Sequence, residues 1–105
     1  MKLQDEHNVP ERQLVQKAAV SAAARERLRA ELLPYVTRAT REFMRSRNIP
    51  ERREAELIGV GMEPFNRVFN IYLKNAGDCY EDEGHFYQYY IWWMRQAIVA
   101  YLKFL

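Results

Sequence analysis

Hydrophobic side chains recur every three or four positions along most of the chain, and no stretch shows the residue-by-residue alternation of a half-buried strand. This periodicity predicts an all-α fold, a small bundle of three to four helices. A first helix is expected to begin near Asn8–Glu11, where an asparagine can cap the helix and a proline fits the first turn. The positions of its stripe are Leu14, Ala18, Ser21, Ala22, Arg25, Leu28 and Leu32.

Pro34 interrupts this first stripe, because a proline lacks the amide proton and clashes with the preceding helical turn. It either starts a new helix or kinks one long helix. A second apolar stripe follows it, and the segment 47–50, Arg-Asn-Ile-Pro, is expected to end that helix. The members of the second stripe are Val36, Ala39, Thr40, Phe43 and Met44.

A third helix is predicted from Glu51 to about Leu73, with a break or bend near Gly59, Gly61 and Pro64. Its core stripe consists of Ile58, Met62, Phe65, Phe69 and Tyr72. The segment 74–78 carries asparagine and glycine, which favour a helix stop. The last helix is predicted over His85–Leu105.

The last helix has two distinct faces. One is a continuous apolar stripe, expected to be buried against Phe65 and Phe69, and consists of Tyr87, Ile91, Met94, Ile98, Leu102 and Leu105. The opposite face mixes rings with hydrogen-bonding groups: Gln88, Trp92, Arg95, Gln96, Val99 and Lys103, flanked by Tyr89 and Trp93. These rings either fill a second interior contact or form an exposed platform on which unpaired bases stack. We expect Trp92 and Tyr89 to remain at least partly exposed, because they lie away from the core stripe and share their side with Gln88, Arg95 and Gln96.

The charge distribution is uneven although the net charge is only +2. Between Ala24 and Arg53 there are nine Arg against four Glu. This stretch is either a solvated helical surface or an approach surface for a polyanion. A short acidic run follows at Asp78, Glu81, Asp82 and Glu83.

The composition argues against several functional classes. Cys79 is the single cysteine and the two histidines lack ligand spacing, so no metal site and no intrachain disulfide are expected. No glycine-rich phosphate loop or nucleophile–base pair is evident, so neither an enzyme nor a cofactor is predicted. The charged start of the chain is not a secretory signal, and polar residues interrupt the apolar end. We therefore expect a cytoplasmic protein without a membrane partner.

Three blocks of the sequence resemble domain 2 of bacterial sigma factors, the domain that melts promoters. Residues 86–98 read F-Y-Q-Y-Y-I-W-W-M-R-Q-A-I, similar to the family pattern F-x-x-Y-A-x-W-W-I-R-Q-A-I. Residues 56–62, E-L-I-G-V-G-M, resemble D-L-I-x-x-G-[NM], which docks on the clamp helices of RNA polymerase. Residues 33–36, L-P-Y-V, resemble L-P-L-V. The likeness covers residues 24–105, which leaves residues 1–23 as an N-terminal helical extension.

The resemblance implies binding to the RNA polymerase core and to the non-template strand of the minus-ten promoter element. By matching positions, Tyr89 would stack at the opened base, Trp92 and Trp93 would wedge against the upstream edge of the bubble, and Gln96 would read the last base pair. Arg95 would either face phosphate or stack on a base, and Phe86 would pack near the flipped base. Gln88 joins this DNA-binding set by its place on the same face. The implied polymerase contacts are Glu56, Leu57, Ile58 and Met62.

An alternative function is a protein-interaction module built on the sigma framework. It could be one half of a split sigma factor whose other chain supplies minus-35 recognition, a decoy for an anti-sigma factor, or a homodimer. The acidic run at 78–83 would repel phosphate, and Gly59-Val60 replace a Gln-Glu pair common in the family. The apolar end of the chain also offers a patch for a partner. It consists of Tyr101, Leu102, Phe104 and Leu105.

Overall fold

The chain folds as a small all-α bundle. The computed structural model describes residues 11–75 and 86–103, and within these ranges it contains helices and no strand, as the periodicity predicts. The elements are α1 (Glu11–Ala18), α2 (Ala22–Ser46), a 3₁₀ turn (Glu51–Arg53), α3 (Glu54–Met62), α4 (Phe65–Asn75) and α5 (Phe86–Lys103). The predicted cap at Asn8, the acidic run and Leu105 lie outside the described residues.

The first predicted stripe is divided between two helices. Ser21 adopts an extended conformation (φ −136°, ψ 124°), and its hydroxyl accepts a hydrogen bond from the backbone N–H of Ala24 at 3.2 Å. A serine cap satisfies one of the amides that the first turn of a helix leaves without a partner. The chain therefore begins α2 there, although the apolar spacing by itself continues through Ser21.

Pro34 lies inside α2, so the alternative of one long helix is the correct one. The proline removes the hydrogen bond to the carbonyl of Ala30, but both residues are exposed and water can reach that carbonyl. All five residues of the second stripe are buried, as predicted. The helix ends at Ser46, and Asn48 then adopts a left-handed conformation (φ 56°).

The predicted third helix is broken at residues 63–64, where Pro64 separates α3 from α4. Met62 and Phe65 are buried as predicted, whereas Ile58 is only half-buried. At Gly61 a Cβ atom would lie 3.4 Å from the side chains of Met94 and Val36. A Cβ there would be at ordinary van der Waals distance, so the space between α3, α5 and α2 at this point is about the size of one methyl group.

One hydrophobic core unites all five helices, and α1 contributes Leu14, Val15 and Ala18 to it. The core face of α5 consists of Phe86, Tyr90, Met94 and Ile98. The predicted face is therefore only half right. Its members Tyr87, Ile91 and Leu102 are half-buried, because the helix is rotated so that Tyr90 points inwards.

A hydrogen bond explains this rotation of α5. The Tyr90 hydroxyl donates to the backbone carbonyl of Gly61 at 2.6 Å. A tyrosine can be buried at little cost when its hydroxyl has a partner. Among residues 11–75 and 86–103, no helix combines the length and hydropathy that crossing a membrane requires.

Candidate nucleic-acid interface

The outward side of α5 presents both rings and hydrogen-bonding groups. Trp92 is 58% exposed, and Gln88, Arg95 and Gln96 are also exposed. Tyr89 lies beside them and is half-buried. The prediction that Trp92 and Tyr89 remain at least partly exposed is confirmed, although Tyr89 also packs against the edge of the core.

Four rings on this side are in contact and form what we call the aromatic strip: Tyr72, Tyr89, Trp93 and Trp92. The ring centroids of Tyr72 and Tyr89 are 5.2 Å apart, and those of Tyr89 and Trp93 are 6.3 Å apart. Trp92 and Trp93 meet at 5.3 Å with their planes at 89°. Edge-to-face and tilted pairs at such distances are favourable aromatic geometries. The strip therefore runs from α4 across to the exposed side of α5.

Arg67 of α4 lies beside the strip. Its guanidinium carbon is 5.6 Å from the centroid of the Trp93 ring, a cation–π contact, and its side chain is exposed. Within the described part of the chain no carboxylate pairs with Arg67, whereas Arg41 pairs with Glu54 at 2.8 Å and Arg53 pairs with Glu56 at 3.0 Å. Arg67 thus offers a positive charge next to the half-buried ring of Trp93.

Sequence reasoning missed both α4 members of this surface. Tyr72 was predicted as a core position, and it is half-buried. Arg67 carries no sequence signal beyond being a cation on the polar side of an apolar stripe. Their relation to Tyr89 and Trp93 depends on the packing of α4 against α5, which spacing along one helix does not report.

Phe86 differs from the other residues of the predicted DNA-binding set, because it is fully buried. Its ring contacts Phe65, Phe69 and Tyr72 at centroid distances of 6.3, 5.6 and 5.0 Å. Phe86 therefore has no ring face available to a base. It links the core to the aromatic strip through Tyr72.

The predicted polymerase-binding residues are divided between the core and the surface. Leu57 and Met62 are buried, Ile58 is half-buried and Glu56 is exposed. Only Glu56 and part of Ile58 can reach a partner directly, whereas Leu57 and Met62 hold α3 on the bundle.

Glu56 is already engaged within the chain. The guanidinium of Arg53 donates to both carboxylate oxygens, at 3.0 and 3.2 Å, and the hydroxyl of Tyr101 donates to one of them. The hydrogen bond from Arg53, followed by that from Tyr101, holds the pKa of Glu56 below its usual value. Glu56 is therefore ionised at neutral pH, and Tyr101 ties the end of α5 to α3.

A shallow groove of about 590 Å³ lies next to the strip, between the α3–α4 turn and the second half of α5. The small side chains of Ala97 and Ala100 line one side, Val60 and Pro64 line the other, and Arg67 stands at its rim. Because Arg67 also contacts Trp93, the groove and the strip form one continuous surface.

The arginines of α2 add positive charge elsewhere on the bundle. Most of them are exposed, while Arg25 is half-buried with its guanidinium 4.9 Å from the ring of Phe69. Arg41 is partly neutralised by Glu54. Among the described residues no group of His, Cys, Asp or Glu is arranged to hold a metal ion.

Comparison of the chain with protein-family models, with curated proteins and with solved structures gave no significant match in any of the three. The interpretation of this surface therefore depends on its own residues.

Proposed function

We propose that the chain is a sigma-factor-like transcription initiation module that binds single-stranded minus-ten promoter DNA and the RNA polymerase core. The observation that carries the proposal is the aromatic strip, four touching rings of which Trp92 is 58% exposed. Gln88 and Gln96 stand exposed on the same helix, where amide groups can pair with base edges. Three rings of the strip, Tyr89, Trp92 and Trp93, and also Gln96, match the sigma pattern of residues 86–98 in register.

The energetics of this arrangement suit the capture of an opened strand. Extruding a base from a duplex costs a few kcal/mol. Stacking a base on an aromatic side chain contributes about 1–3 kcal/mol, so two or three rings offset the extrusion. Arg67 adds a cation beside Trp93 that can neutralise a backbone phosphate.

The surface around Glu56 and Ile58 would contact the polymerase. These two residues reach solvent, while Leu57 and Met62 support them from the core. The partner implied by the sequence resemblance is the pair of clamp helices.

A second candidate is the protein-interaction module on the same framework: half of a split sigma factor, a decoy for an anti-sigma factor, or a homodimer. The groove lined on one side by Ala97 and Ala100 favours this candidate, because small side chains allow a partner helix to approach closely. A measurement of binding to single-stranded DNA at several salt concentrations separates the two functions. The initiation module should bind and lose affinity steeply as salt rises, because its phosphate contacts release counterions. The interaction module should show little binding.

The central test is tryptophan fluorescence of the chain with core polymerase and a non-template oligonucleotide carrying T-A-T-A-A-T. Trp92 and Trp93 are the only tryptophans of this chain, so a base stacked on the strip should quench its emission, which is obtained by subtracting the signal of core polymerase with the oligonucleotide alone. Tyr89→Ala should weaken binding by about 1–3 kcal/mol, the usual contribution of one stacked base. A scrambled oligonucleotide serves as the control for sequence.

Gln96→Ala should reduce the preference for one particular base pair and leave the overall affinity less affected. A side chain that reads a base edge contributes about 1–3 kcal/mol of discrimination at that base pair. Gln16→Ala, an exposed glutamine on α1, is the matched control and should change nothing. The proposal fails if no quenching occurs at low salt with polymerase present, and if replacing the acidic residues at 78–83 by amides does not restore it.

A further inference from the structure

Tyr72 connects the buried core to the aromatic strip. It lies half-buried on α4, and its ring centroid is 5.0 Å from that of the fully buried Phe86, with the planes at 67°. On its other side the ring contacts Tyr89 at 5.2 Å, with the planes at 55°. Phe86 itself is held by Phe65 and Phe69. Tyr72 is therefore anchored by rings that cannot move without disturbing the core.

Tyr89 in turn is contacted from two directions. Tyr72 lies against it from α4, and Trp93, one turn further along α5, contacts it at 6.3 Å. A half-buried ring on one helix has alternative rotamers unless neighbouring side chains restrict it. Of these two contacts, only Tyr72 comes from another helix and is anchored in the core.

We propose that Tyr72 is a positioning residue that fixes the Tyr89 ring in the orientation used to stack on an unpaired base. The proposal rests on the proposed function. A side chain that is already ordered loses less conformational entropy when a ligand binds, so a pre-oriented ring binds more tightly than a mobile one. Tyr72 acts through Tyr89 and needs no contact with the nucleic acid.

The first measurement is affinity for the minus-ten oligonucleotide in the presence of core polymerase. Tyr72→Leu keeps an apolar side chain but removes the ring, and should weaken binding about 3- to 10-fold. Tyr72→Phe keeps the ring, so it should retain the ring contacts with Phe86 and Tyr89 and weaken binding clearly less than Tyr72→Leu. Phe43→Leu is the matched control, since Phe43 is a buried ring with no described ring contact to the strip. If Phe43→Leu weakens binding as much, the effect is general destabilisation and the proposal is overturned.

A double-mutant cycle distinguishes positioning from direct contact. In a Tyr89→Ala background, Tyr72→Leu should cause no further loss of affinity, because the ring that it positions is absent. A full additional loss would mean that Tyr72 contacts the nucleic acid itself, and would overturn the proposal.

The second measurement needs no nucleic acid, so it separates this inference from the proposed function. NMR scalar couplings of the Tyr89 side chain in the free chain should report one dominant χ1 rotamer, and Tyr72→Leu should produce averaging among rotamers. If the unaltered chain binds no oligonucleotide, the proposed function fails while the rotamer shift still supports positioning. An unchanged Tyr89 rotamer distribution in folded Tyr72→Leu would show that Tyr72 does not position the ring.

Discussion

At the residue scale, Tyr90 determines how the last helix sits on the bundle. Its side chain is fully buried, and its hydroxyl donates to the carbonyl of Gly61 at 2.6 Å. Gly61 lies in the last turn of α3, where carbonyls lack an intrahelical partner. Tyr90 therefore gives a hydrogen-bond donor to a buried carbonyl at the end of α3, and its ring fills part of the core.

Tyr90→Phe should lower the free energy of unfolding by about 1–3 kcal/mol, because it leaves the buried Gly61 carbonyl without this partner. Urea denaturation followed by circular dichroism measures the change. Tyr101→Phe is the matched control, since it removes a hydroxyl whose bond to Glu56 is exposed, and it should cost less. An equal loss in both variants would contradict the structural importance of the Tyr90 bond.

The buried hydroxyl of Tyr90 should also make the stability of the fold depend on pH. Burial raises the pKa of Tyr90, and the nearby charges of Arg29 and Arg67 oppose this only in part. A group whose pKa is raised on folding contributes stability that is present below its unfolded pKa, about 10 for tyrosine, and lost as the pH rises beyond it. The unfolding free energy of the unaltered chain should therefore fall above about pH 10, and more steeply than that of Tyr90→Phe.

At the element scale, α5 has two sides of different character. One side carries the core residues Phe86, Tyr90, Met94 and Ile98, and the other carries the exposed Trp92 and Gln96. Ile91 lies between the two sides and is half-buried. The helix is thus attached to the bundle by one side, while Trp92 and Gln96 on the other side reach solvent.

Replacing core and flank residues of α5 tests this orientation. Ile98→Ala should destabilise the fold by about 2–5 kcal/mol, because it leaves a cavity in the packed core. Ile91→Ala removes the same atoms from a half-buried position and should cost clearly less. Denaturant midpoints measure both. Equal losses would mean that the helix is oriented as the sequence alone suggested, with Ile91 as deep as Ile98.

At the scale of the whole molecule, the proposed binding surface belongs to two helices. The strip begins with Tyr72 on α4 and ends with Trp92 on α5, and Arg67 joins it from α4. Neither helix alone carries all of these groups. The surface therefore exists only in the folded bundle.

Arg67 provides a test of the surface as a whole. If its charge neutralises one phosphate of a single strand, Arg67→Gln should reduce the slope of log K against log salt concentration by about 0.7. Lys17→Gln, an exposed cation on α1, is the control and should leave the slope unchanged. Fluorescence titrations at several salt concentrations supply the slopes. An unchanged slope for Arg67→Gln would remove Arg67 from the phosphate contacts.

The sequence by itself determined the helical class, most helix ends and the existence of an exposed aromatic side on α5. Periodicity was sufficient for the stripe from Val36 to Met44, since all five of its members are buried on α2. It was also sufficient for the exposure of Trp92, since that residue lies far from any apolar stripe on α5. These are properties of a single helix and its caps.

Only the tertiary structure decided that α5 buries the face with Phe86 and Tyr90 rather than the adjacent face with Tyr87 and Ile91. It also decided which residues of other helices join the strip. Tyr90 takes the core position because a carbonyl of α3 lies within hydrogen-bonding distance of it. Leu57 and Met62, expected at a polymerase interface, are turned into the core by the packing of α3. Tyr72 and Arg67 meet Tyr89 and Trp93 only because α4 packs beside α5. Spacing along one helix shows which residues share a side, whereas contacts between helices depend on shape and hydrogen-bond partners that are distant in the sequence.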